Sequence, residues 1–197
     1  MSTSAPPVEP RHVVLFSGHR VDAAGRVPPR FPDDKAAHAG ALIDQALHDL
    51  DVGPDDLALT QGSSGGDLLF AESAARRGAQ LRLMQPAPEP RFIEESVRAS
   101  ANGDAWVQRY LALRARLPEP PLQLPDAPDA QDASRADRFE RCNHWLLDTA
   151  LRWGTERVRF VCLWDGSPSA RPGGTAQMVE EVSRLGVPIT WLDSRHL

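Results

Sequence analysis

Short apolar runs that stop abruptly at glycine, serine or proline, separated by stretches of helical spacing, constrain this chain more than any other feature. Val13-Val14-Leu15-Phe16 breaks off at Ser17-Gly18-His19-Arg20. Leu57-Ala58-Leu59-Thr60 leads into Gly62-Ser63-Ser64-Gly65-Gly66-Asp67, and Gln80 to Met84 leads into Pro86, Pro88 and Pro90. Arg157 to Trp164 ends at Asp165-Gly166, and Val187 to Leu192 is the fifth run. The continuous apolar character of the first and fourth runs fits strands buried on both faces. Between the runs, helices are predicted from Asp33 to Leu50, Leu68 to Arg77, Arg91 to Ser100, Trp106 to Leu117, Ser134 to Trp153 and Thr175 to Leu185. Their ends carry Gly53-Pro54, Gly78, Gly154 and Gly186 as stop signals.

Strands separated by helices need crossover connections. They predict a parallel sheet covered on both faces. The expected class is α/β: a single three-layer Rossmann-like domain with a mainly parallel sheet of about five strands. A length of 197 residues with 41% apolar and 25% charged residues is enough for one such core and no more. Residues 1–11 are expected to be a disordered tail and residues 12–197 the domain. A Pro/Asp/Ala-rich insertion lies at about 118–133, with five prolines between 118 and 128.

Composition excludes several classes. No apolar run approaches the roughly 18 residues of a membrane span, so no membrane partner is expected. Met1 to Pro10 has neither a charged nor an apolar signal region. Cys142 and Cys162 lie far apart, which argues against a disulfide framework or a zinc site and fits a reducing cytoplasm. His12, His38, His48, His144 and His196 show no metal spacing, so neither a metal nor a cofactor is expected. A net charge of −5 weighs against a nonspecific nucleic-acid binder. Of the 22 cationic residues only Lys35 is lysine; the arginines supply forked donors suited to phosphate and carboxylate.

Ligands of open parallel sheets bind beyond the carboxyl ends of the strands, and three unusual loops fall there. Gly62-Ser63-Ser64-Gly65-Gly66-Asp67 enters a helix, where glycines permit close backbone approach and N–H groups favour an anion. It matches neither a P-loop nor G-x-G-x-x-G, and the alternative is a tight turn that needs glycine for its own sake. Asp165 to Thr175 offers the same features through Gly173, Gly174 and Thr175, with Thr175 as a candidate N-cap. Ser17-Gly18-His19-Arg20 can meet a phosphate or a base, or be a solvated surface pair. Asp22, Arg26 and Arg30 lie in the irregular segment behind it, where Arg30-Phe31-Pro32 can fold over the site. Trp164 is either core or a stacking surface for a base. Asp67, Glu72, Glu180 and Glu181 are each placed to serve as a general base, or are solvated helix acids, and Glu180 and Glu181, in the last helix, are the candidates for catalysis.

These motifs resemble the SLOG superfamily, especially its YpsA-like branch. The resemblance rests on Gly65-Gly66-Asp67, Ala71-Glu72, Gly78, the strand ending at Pro86, and Phe92 with Ser96-Val97. Ser17 to Arg20 and Gly173-Gly174-Thr175 fit the same scheme, over about residues 12–193. The resemblance implies a Rossmann-like fold that binds a nucleotide or nucleotide-derived ligand, as sensor or enzyme. The Lonely Guy phosphoribohydrolases of this superfamily carry P-G-G-x-G-T-x-x-E. Here Pro172-Gly173-Gly174-Thr175 lacks the x-G step, and Met178 occupies the acid position. Binding or sensing of such a ligand is therefore the expected function. The alternatives are a nucleoside-monophosphate N-glycosidase using Glu180 or Glu181, and a protein-interaction module without a small ligand. The long helices at 91–117 and 134–153 could also form a homodimer.

Overall fold

The computed structural model describes residues 9–125, 134–168 and 173–197. Its strands are β1 Val13–Gly18, β2 Leu57–Thr60, β3 Gln80–Gln85, β4 Leu122–Gln123, β5 Val158–Trp164 and β6 Ile189–Asp193. The helices are α1 Ala36–Asp49, α2 Gly66–Arg76, α3 Glu89–Phe92, α4 Gly103–Arg114, α5 Arg135–Leu151 and α6 Thr175–Arg184. All strand pairs are parallel, and the sheet order is β4-β3-β2-β1-β5-β6.

Alternation along the strands divides the core into two layers. Val14 and Phe16 of β1, Ala58 of β2 and Val161 and Leu163 of β5 pack against apolar faces of α1, α2 and α4. Val13, Leu15, Leu57, Leu59, Phe160 and Cys162 pack against α5 and α6. This is a Rossmann-like three-layer domain. The chain runs outward from β1 through β2 and β3 to β4. It then returns to lay β5 on the other edge of β1, with Val13 opposite both Leu57 and Val158. The order of strand addition therefore reverses between β1 and β5, the position where ligands of open α/β sheets bind.

Six strands replace the expected five. β4 consists of two residues, set against Met84 and Gln85 inside the proline-rich insertion. Of that insertion, residues 126–133 lie outside the described chain, as do residues 1–8 of the expected tail. Pro10 is buried and the Arg11 N–H donates to the Asp55 carbonyl at 2.8 Å, so the described fold already includes residues ahead of 12. The helix expected from Asp33 opens as a 3-10 turn, Asp33–Lys35, and becomes α-helical at Ala36. The helix expected over Arg91–Ser100 starts earlier, at Glu89, and widens to a π-helical stretch over Ile93–Arg98. α4 begins ahead of Trp106, after the left-handed Asn102. α5 starts as its sequence suggests. The Ser134 hydroxyl accepts the Asp137 N–H at 3.2 Å, and the Asp137 carboxylate accepts the Ser134 N–H at 2.9 Å. No described helix is long and apolar enough to cross a membrane.

Candidate functional site

A cleft of about 690 Å³ opens at the carboxyl ends of β1, β2 and β5. That volume suits a small organic ligand. The three loops singled out in the sequence converge there, though not every residue of them faces it.

The glycines of the loop after β2 pack into the surrounding fold, Gly62 and Gly66 against side chains and Gly65 against backbone. At Gly65, with φ +88°, an added Cβ would lie 2.8 Å from the His19 carbonyl oxygen and 2.7 Å from the Val21 nitrogen. The Gly66 N–H donates to the same His19 carbonyl at 3.0 Å. Gly62, Ser64, Gly65 and Gly66 consequently do not line the cleft. Ser64 turns toward the π-helical stretch, and its N–H and hydroxyl both donate to the Ser96 carbonyl, at 3.1 and 3.2 Å. Clamping this loop onto the end of β1 delivers Ser63 and Asp67 to the cleft wall. The Asp67 carboxylate accepts the Ser63 hydroxyl at 2.8 Å and the Ser63 N–H at 3.3 Å, and the Gly18 backbone nearby favours its charged form. Burial nevertheless pushes its pKa up to about 6.

The opposite wall is the start of α6. Gly174 is the N-cap, not Thr175, which is the first helical residue and places its hydroxyl 3.1 Å from that of Ser17. Gly173, at φ +83°, passes so close to α5 that a Cβ would lie 2.7 Å from the Glu140 nitrogen. Its carbonyl accepts the Asn143 amide at 3.0 Å, and Asn143 in turn accepts the Gln61 amide at 2.8 Å. The first N–H groups of α6 have no acceptor within the helix and sit at its positive dipole end. Ser169 to Pro172 of this loop lie outside the described residues.

Arg20, Arg26 and Arg30 add positive charge to the lining. Arg20 donates to the Glu95 carbonyl at 3.0 Å, and Arg26 lies 3.2 Å from Asp22. The Asp22 carboxylate also accepts the N–H groups of Arg30 and Phe31, at 2.7 and 2.8 Å. The segment expected to fold over the site is therefore pinned. Phe31 is core, and only the arginines face the cleft. Burial and the neighbouring Arg26 lower the pKa of Arg30, yet an arginine stays charged at neutral pH.

His19 is buried, and burial together with Arg30 holds its pKa at about 4. Its Nε2 accepts the Asp165 N–H at 3.1 Å, so the ring is a neutral orienting group. The 3.3 Å approach of the Asp165 carboxylate to that nitrogen is a contact, not an ion pair. Burial opposes ionisation of Asp165, but the Ser167 N–H, donating at 2.9 Å, holds its pKa below the ordinary carboxylate value. Trp164 lines the cleft and is backed by Trp191, with ring centroids 5.8 Å apart.

Glu180 and Glu181 do not line the cleft. Glu180 is 62% exposed and pairs with Arg184 one helical turn on. Glu181 sits 2.9 Å from His144 and 3.1 Å from Gln177. The carboxylates that do line it are Asp67 and Asp165. Gln61, Phe139 and Asn143, also in the lining, were not anticipated from the sequence. The available signal was polarity: Gln61 ends an apolar strand, and Asn143 stands beside Cys142 on the buried side of a helix.

Among the described residues, no group of three His, Cys, Asp or Glu side chains is arranged to hold a metal ion. No protein-family model and no curated protein matches the chain.

Proposed function

We propose that this cleft binds a nucleotide or nucleotide-derived ligand. The observation that carries the proposal is the convergence, at the β1/β5 reversal of the sheet, of a helix N-terminus and three arginines on one cleft. Backbone N–H groups at Gly174 to Ala176, with the hydroxyls of Ser17 and Thr175, suit phosphate oxygens. The guanidinium groups of Arg26 and Arg30 at the rim draw an anion in and share its charge. Trp164 offers an aromatic face to a base, and Gln61 and Asn143 offer amides to its edge. The resemblance to the SLOG superfamily supports the same reading, because Asp67 and Gly173 to Thr175 from its motifs lie in the cleft lining.

Thermal unfolding against mono-, di- and cyclic nucleotides, ADP-ribose and NAD tests the proposal. A ligand at about 100 times its Kd stabilises the fold by roughly 2.7 kcal/mol. At least one compound is expected to raise Tm, and Arg30→Ala is expected to abolish most of that rise without lowering the ligand-free Tm. A flat response across the panel would refute nucleotide binding and favour an interaction module.

A further inference from the structure

We infer that Asp67 accepts a hydroxyl group of the ligand's sugar, so that the cleft takes a ribose phosphate unit in preference to its deoxy counterpart. The inference rests on the nucleotide reading above and goes beyond it by naming which part of the ligand the carboxylate recognises.

An ionised carboxylate offers about four acceptor positions. The Ser63 hydroxyl and the Ser63 N–H both donate to one of its two oxygens, at 2.8 and 3.3 Å. The remaining positions belong to a residue that is only 6% exposed and stands in the cleft lining. A buried carboxylate in that position is costly unless a donor completes its hydrogen bonding.

The charge of the lining decides which donor fits. Arg20 already acts on Asp67 electrostatically, and Arg26 and Arg30 stand at the rim. A ligand ammonium group or a metal cation would meet three guanidinium groups. A phosphate placed directly on Asp67 would meet like charge. A neutral O–H avoids both conflicts. The anionic part of the same ligand then has the start of α6 and the arginines to itself. A molecule with phosphate at one end and free hydroxyls beside it is a sugar phosphate, and in a nucleotide those hydroxyls are the ribose 2′ and 3′ groups. A site built to bond a hydroxyl rejects the analogue that lacks it far more strongly than an apolar site rejects a missing methylene, because the buried acceptor is left unpaired.

Calorimetric titration of the wild-type chain with AMP, GMP, CMP and UMP, and with the 2′-deoxy and 3′-deoxy form of each, tests this without any mutation. For a ribonucleotide that binds, loss of one of the two hydroxyls is expected to weaken binding by about 100-fold or more. In Asp67→Asn, with its fold verified by circular dichroism, the ribo and deoxy forms are expected to bind within a few-fold of each other. Equal binding of ribo, 2′-deoxy and 3′-deoxy forms to the wild type overturns the inference and leaves nucleotide binding standing. Discrimination that survives in Asp67→Asn overturns the role of Asp67. No binding by any of these monophosphates overturns the inference, while the nucleotide reading stands or falls on the wider panel above.

Discussion

Replacing Asp67 with Asn should change the pH dependence of stability in a calculable way. In the folded chain the Asp67 pKa stands at about 6, against an ordinary 3.8, with burial as the principal cause. At about 1.4 kcal/mol per tenfold change in proton affinity, that difference is worth about 3 kcal/mol. The sign follows from the raised value. The folded state holds this proton more tightly than the unfolded state, so the contribution is fully present below about pH 4 and is lost as pH rises through about 6. Asn does not titrate. It keeps one carbonyl acceptor but turns an amide NH₂ toward donors at Ser63 and Gly18, a penalty of about 1–3 kcal/mol. That penalty is independent of pH and all other titrations are common to both proteins, so the difference between them isolates Asp67. Between pH 4 and pH 7 the wild type should lose about 2.4 kcal/mol of this relative to Asp67→Asn. For a chain of this size the relative Tm should move by about 5–10 °C. Urea unfolding at pH 4, 5, 6 and 7, with m-values compared, measures it. Parallel stability curves for the two proteins across this range would refute the claim that Asp67 is carried ionised and buried at neutral pH.

Two further substitutions test the frame around the cleft. Gly65→Ala should destabilise the fold by about 2–5 kcal/mol, since a left-handed residue and a Cβ pressed against the His19 carbonyl are both penalised; a loss under about 1 kcal/mol in urea unfolding would show that the loop relaxes freely. Asp56, with no exposed surface, accepts bonds from Arg11 at 3.1 and 2.8 Å, the His12 N–H at 3.0 Å and the Gly53 N–H at 2.8 Å. Asp56→Ala should therefore cost about 3 kcal/mol at pH 7. Burial opposes its ionisation, but these bonds hold its pKa below the ordinary value. The gap to wild type should accordingly be fully present at neutral pH and shrink as pH falls below the carboxylate range, which acid titration of both proteins by circular dichroism checks.

The parallel α/β frame was legible because each long strand announces itself twice, by its own apolar run and by the glycine or serine that ends it. β4 was not, because two exposed residues flanked by Pro121 and Pro125 carry no periodicity, and only the pairing with Met84 and Gln85 makes them a strand. The cleft was legible in outline and not in detail. Glycines needed for ligand approach and glycines needed for backbone packing look alike in sequence. Gly62, Gly65 and Gly66 serve packing, Gly174 faces the cleft, and Gly173 does both, lining the cleft while its missing Cβ lets it pass the Glu140 nitrogen. Ser63 and Ser64 are adjacent and chemically identical, yet one bonds Asp67 and the other Ser96, which lies 32 residues on. The acids of α6 were misplaced for a related reason. Proximity to Gly173-Gly174-Thr175 along the chain does not set which face of the helix a residue occupies, and Glu180 and Glu181 bond other partners away from the cleft.

The pairing of β1 with β5 also fixes when the cleft can form during synthesis. Val13 pairs with Val158, so one edge of the central strand stays open until roughly 145 further residues have been synthesised. At about 5–20 residues per second, that is a wait of roughly 7–30 seconds on the ribosome. During it β1 can pair only with β2, and neither the Trp164 wall nor the α6 wall of the cleft yet exists. The nascent chain thus carries an apolar strand edge of the kind that invites mispairing until β5 is made, and the same event both closes that edge and builds the far wall of the cleft.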